Sequence, residues 1–200
     1  MTKNIPKIDF RYSSVYDKKW RRGEAGRKKE GKEYPSKKEI LDFIERVETE
    51  WRKDEKRIFS KISSLLELPW REEHIYCYVV GRCRPFPFPL TVPFFEEVGD
   101  FTDVLTHELI HRFFVPEETK KKVRKAWKYS NKKYKGESRV TRMHILVYAI
   151  HSAIYLDLFG EERIQRNIKR AHRPGYKRAW EIVQKEGYGQ IIQQFIQKIE

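Results

Sequence analysis

Residues 107 to 111 read His-Glu-Leu-Ile-His, and their types and spacing specify a chemistry. Side chains four apart on an α-helix stand one turn above each other, so His107 and His111 point the same way and can hold one metal ion. Glu108 lies about 100° round the helix from His107, close enough to reach a water on that ion without ligating it. Two neutral imidazoles suit Zn²⁺, which lowers the pKa of a bound water; the carboxylate takes the proton as water attacks a polarised carbonyl. The plainer alternative is a half-buried histidine pair beside a surface glutamate. The surroundings weigh against it, because the segment has a helix start, a helix stop, apolar neighbours and a strand before it.

A catalytic zinc site takes a third protein ligand and keeps one position open. Nothing close after His111 supplies that ligand, so it comes from further along. A helix expected over 137–159 places Glu137, Thr141, His144, Tyr148, His151 and Tyr155 in one narrow stripe. The stripe contains no aliphatic residue, although the helix is otherwise rich in Met143, Ile145, Leu146, Val147, Ala149 and Ile150. It is either the wall of a site or a polar face turned to solvent. Two tyrosines and two histidines are unusual for a solvent face on a chain whose surface residues are mostly Lys and Glu. Glu137 and His151 are separated by roughly 21 Å along the axis, so one residue ligates and the others line the cleft or orient ligands. The candidates are Glu137, His144 and His151.

The elements that must position these groups follow from pattern. A helix over 102–115, capped by Thr102 or Asp103, has Leu105, Leu109 and Phe113 on its apolar side and Pro116 beyond its end. Before it, Ile75–Val80 is a β-rich run ended by Gly81, and Pro85, Pro87, Pro89 and Pro93 punctuate the next segment. Proline lacks the N–H of a central strand, so this segment belongs at a sheet edge, where Val79–Pro93 can receive an extended peptide. Ser36 and Glu39 form a capping box that opens a helix, or two with a break, over 37–67. Ile8–Tyr12 alternates like a short strand, and Gly23, Gly26 and Gly31 among many Lys and Arg predict a mobile basic loop. Lys120–Lys135 reads as a short helix and a loop, and amphipathic helices are expected over 161–171 and 174–199. The organisation expected is a basic N-terminal segment with a long helix over 1–70 and a catalytic domain over 71–200.

The net charge is +14 and the charged fraction 36%. Clustered cations on one face would attract nucleic acid, but here most are mixed with Glu, and the composition also fits the surface of a hyperthermophile protein. The chain lacks an apolar leader or a membrane-spanning run, so a soluble cytoplasmic protein is expected. Cys77 and Cys83, six apart, lie roughly 20 Å from each other in an extended strand, too far for a disulfide unless the chain turns at Gly81. Two buried thiols are the expected outcome.

Over roughly residues 74–160 the chain resembles the zincin metallopeptidases, whose His-Glu-x-x-His helix follows a sheet with a substrate-binding edge strand. The resemblance implies an α+β fold, mostly helical with a small mixed sheet, and zinc-dependent hydrolysis of a peptide or protein substrate with Glu108 as general base. It differs at Arg112, where the family usually has an uncharged residue. Gluzincins take a Glu from a second helix, often followed four residues later by a small or acidic polar residue; Glu137 with Thr141 is similar and is the preferred third ligand. His144 or Tyr148 would then stabilise the oxyanion. With His144 as ligand the site would look more like that of SprT-like proteases, which act on proteins crosslinked to DNA. A nucleic-acid-binding module with structural or vestigial zinc is the alternative of another class.

Overall fold

The computed structural model describes residues 5–23 and 33–200. Gly26, Gly31 and most of the expected basic loop lie outside the described residues. The architecture is α+β and mostly helical, with one four-stranded mixed sheet. Two compact units are present. One holds the described residues up to Lys56 together with Glu72–Arg112; the other holds Arg57–Arg71 and Phe113–Glu200. This partition does not coincide with a boundary near residue 70.

The first unit contains the sheet, in the order β1-β2-β4-β3, with β1 (Lys7–Tyr12), β2 (His74–Val80) and β4 (Leu90–Pro93) parallel and β3 (Phe86–Pro87) antiparallel at the edge. The expected edge segment is therefore divided. Only Phe86–Pro87 is at the edge, while Val79, Val80 and Leu90–Pro93 belong to inner strands. Pro87 and Pro93 occupy a two-residue edge strand and a strand end, where the missing N–H breaks no interior ladder.

Helix α1 (Ser14–Arg22), which was not expected, begins with Ser13 accepting from the Tyr16 N–H. Its Asp17 is buried and accepts from Gly81 N–H at 2.8 Å, Tyr34 Oη at 2.6 Å and Tyr12 Oη at 3.1 Å. A Cβ at Gly81 would come within 2.3 Å of the Tyr34 ring, so this close approach requires glycine. Helix α2 (Lys37–Leu66) is continuous, and its capping box is formed: Ser36 N–H donates to Glu39 Oε2 and Glu39 N–H to Ser36 Oγ. Buried Glu55 on α2 accepts from the Ile8 N–H at 2.9 Å and from Trp51 Nε1 at 2.9 Å, anchoring edge strand β1. Phe43 packs on Phe94 and Phe101 above inward-facing Ile75, Val79 and Val92.

In the second unit, helix α5 (Arg139–Leu158) is central: every residue from His144 to Tyr155 is buried. A helix apolar on nearly all sides has to be surrounded. Around it come α6 (Glu161–Arg170), α7 (Pro174–Glu186) and α8 (Tyr188–Ile196), with α4 (Glu117–Lys133) packed on α8. Helix α4 is a full 17 residues, longer than the short helix expected. The single helix expected over 174–199 is instead two, separated at Gly187, whose φ of 83° favours glycine. Trp70, Phe59 and Phe113 form an edge-to-face cluster, as do Phe114, Trp127 and Phe195. Among the described residues no helix is long and apolar enough to cross a membrane.

Candidate metal centre

Helix α3 (Val98–Phe113) carries the His-Glu-x-x-His motif. It starts four residues before the expected cap: Thr102 and Asp103 lie inside it, and Thr102 Oγ1 donates back to the Val98 carbonyl at 3.1 Å. Phe101, Leu105, Leu109 and Phe113 are buried at four-residue spacing and fix the rotation of the helix. His107 and His111 are only half-buried, on another side, and their ring centroids are 4.8 Å apart. Glu108 is buried, and burial alone pushes its carboxyl up to about 8. Among the described residues no cation forms an ion pair with it. A buried acid of this kind suits a site where a bound dication compensates its charge and draws its pKa back down.

Arg112, the departure from the family pattern, has a structural role. Its guanidinium is buried and bidentate to Glu72, at 2.9 and 2.6 Å, and donates to the Pro87 carbonyl at 2.8 Å. Its plane also lies over the exposed Phe88 ring, 5.3 Å from the centroid. A planar five-donor head can serve all these partners at once, as a lysine could not. Arg112 thus ties the residue after His111 to edge strand β3.

The ligand nitrogens of His107, His111 and His144 all lie within 4.8 Å of one another. His144 stands on α5, and its Nδ1 is 2.7 Å from the Val140 carbonyl. A carbonyl only accepts, so Nδ1 carries the proton and Nε2 is the nitrogen that could meet a metal ion. The ring packs on Tyr176 at 4.5 Å and Tyr148 at 5.6 Å, and burial lowers its pKa, favouring the neutral imidazole a metal needs. Three imidazoles and an adjoining carboxylate are a donor set that fits a divalent transition metal.

Glu137, the preferred third ligand, is not part of this group. It precedes the α5 cap Ser138, and its carboxylate accepts from Arg178 Nε at 3.0 Å and Nη2 at 2.8 Å. That guanidinium holds the carboxyl below its usual range. Thr141, expected beside Glu137 as the residue that steadies a zinc-bound histidine, shares a 2.8 Å hydrogen bond with the capping Ser138 hydroxyl. The rest of the stripe is buried rather than turned to solvent: Tyr148 stacks on Trp180 at 4.1 Å, and His151 meets Tyr155 edge-on at 4.1 Å. Tyr176 and Trp180, one turn apart on α7, were not found from sequence. No feature of their spacing distinguishes them from ordinary packing residues.

Cys77 and Cys83 are free, with β2 ending before the turn at Gly81. Burial raises both thiols, and nearby Glu108 adds to the effect at Cys83, which reaches about 12. No protein-family model, curated protein or solved structure matches the chain.

Proposed function

We propose that the chain is a zincin-like, zinc-dependent hydrolase of peptide bonds, with His107, His111 and His144 as ligands and Glu108 as general base. The observation that carries this reading is the gathering of the three histidine nitrogens within 4.8 Å, with Glu108 buried on the same helix. Zinc bound there would supply a Lewis acid and an activated water. Glu108 takes up a proton at its carboxylate and can return it to a leaving amine. His144 moves from an oxyanion role to that of a ligand, and Tyr148 and Tyr176 hold its ring in place. Edge strand β3, tied to α3 through Arg112, supports an extended peptide as the substrate.

The test is metal analysis after metal-replete expression, followed by peptide hydrolysis with Glu108→Gln. One zinc per chain is expected, with the variant keeping zinc and losing turnover. A chain without stoichiometric zinc, or a variant with unchanged turnover, contradicts the reading.

A further inference from the structure

Helix α4 carries a charge pattern that the metal centre does not use. Between Thr119 and Gly136 the sequence has nine cations and no acidic residue. Thr119, Val123, Ala126 and Ser130 form the buried side of the helix. At about 100° per residue, Lys121, Arg124, Lys125, Lys128 and Lys132 fall on the opposite side, within an arc of about 100°. All five are exposed. With a rise of about 1.5 Å per residue, Lys121, Arg124, Lys128 and Lys132 follow one another in steps of about 4.5 to 6 Å along a line of roughly 16 Å.

Lys125 is paired with Glu200 at 2.7 Å and Arg124 also acts on that carboxylate, but among the described residues Lys121, Lys128 and Lys132 have no ion-pair partner. Helix α2 is different. There Arg52 is held by Glu48 at 2.6 Å and Glu55 at 2.7 Å, and Lys53 by Glu50 at 2.6 Å. Positive charge on α4 is thus arranged in a narrow row.

We propose that this row binds the phosphate backbone of a nucleic-acid duplex, independently of the metal centre. A straight single file of cations matches a chain of phosphates, whose neutralisation releases counterions. The helix is held in place by its buried side and by Lys133 and Tyr134, which both reach Glu186. Its aromatic residues are used internally: Trp127 packs on Phe114 and Phe195, the half-buried Tyr129 reaches Gln194 and has Lys198 over its ring, and the Tyr134 hydroxyl donates to Glu186. No stacking platform for unpaired bases is left on this side, so the contact is with backbone and not with splayed bases. Its apolar residues Val123 and Ala126 are buried, so the exposed side offers a bilayer nothing to insert. The row is Lys and Arg alone, and the Oδ1 of neighbouring Asn131 accepts from Arg142 Nε at 3.2 Å, so the contact is with phosphate and independent of sequence.

The full-length protein and a labelled duplex of mixed sequence, followed by anisotropy from about 50 to about 200 mM salt, test the proposal. Four phosphate contacts give log K against log salt a slope of about −3 to −4. Replacing Lys121, Arg124, Lys128 and Lys132 together by Gln is expected to weaken binding at least about tenfold and to flatten that slope. Replacing Lys38, Arg46, Lys53 and Lys56 of α2 by Gln removes the same charge and is expected to change affinity less than about twofold. In the wild type, bound duplex is expected to shield Lys121, Lys128 and Lys132 from acetylation, a measurement that needs no variant. Absent duplex binding at the lowest salt, equal losses in the α2 and α4 variants, unshielded lysines, or equally tight binding to anionic vesicles each overturn it.

Discussion

Helices α3 and α5 supply the clustered histidines under opposite conditions. On α3 one side is apolar and buried, and His107 and His111 sit half-buried on another, so the helical period alone aims them. On α5 everything from His144 to Tyr155 is buried, and His144 is aimed by its partners: the Val140 carbonyl on Nδ1 and the rings of Tyr148 and Tyr176. Ligands on an amphipathic helix are therefore separable from the core, whereas ligands on a central helix are part of it. Substitution on α3 should remove metal and leave the fold; substitution on α5 should disturb both.

The largest effect is expected for His111→Ala or His107→Ala, with zinc falling from one per chain to near none while circular dichroism keeps its helical signal. Stoichiometric zinc in either variant would break the comparison at its firmer end. Next is the pair His144→Ala and Glu137→Gln, compared by competitive zinc titration. Losing a ligand should weaken zinc by more than the 10–100-fold typical of supporting groups, so at least about 10²-fold is expected for His144→Ala. Glu137→Gln should stay within about twofold, since its carboxylate is engaged by Arg178. The reverse order would return the third position to Glu137.

Glu108→Gln should keep zinc and lower turnover by about 10² to 10⁴, the usual share of general acid–base catalysis. Arg112→Met tests whether the motif helix and the edge strand are coupled. Breaking a buried pair costs about 3–5 kcal/mol, and the partial exposure of Glu72 reduces this to roughly 2–3 kcal/mol in denaturant unfolding. Ser138→Ala, which removes the α5 cap, should cost about 1 kcal/mol and move zinc affinity little.

The same contrast explains what could be read in advance. The His107, Glu108 and His111 constellation is local, set by a four-residue spacing, and the stripe holding His144 followed from the same period. Within the stripe the helix boundary matters: Ser138 caps α5, so Glu137 falls just outside the helix and pairs with Arg178, 41 positions along the chain. That partner carries no local signal. Helix α1 carries little sequence signal because its nine residues lie in a basic run ended by Gly23, where charge masks periodicity. The proline-punctuated segment was placed near an edge, but which of its parts lies outermost depends on the β2–β4 pairing, a tertiary choice. Arg112 looked anomalous because its partners, Glu72 and Pro87, are 40 and 25 positions away.

X-ray absorption at the zinc edge of the zinc-loaded wild type tests the three-histidine centre most directly. Three imidazole nitrogens at about 2.0–2.1 Å with an oxygen completing the shell are expected, and one imidazole fewer in His144→Ala. Two imidazoles with a protein carboxylate in the wild type, or an unaltered shell in His144→Ala, would contradict it.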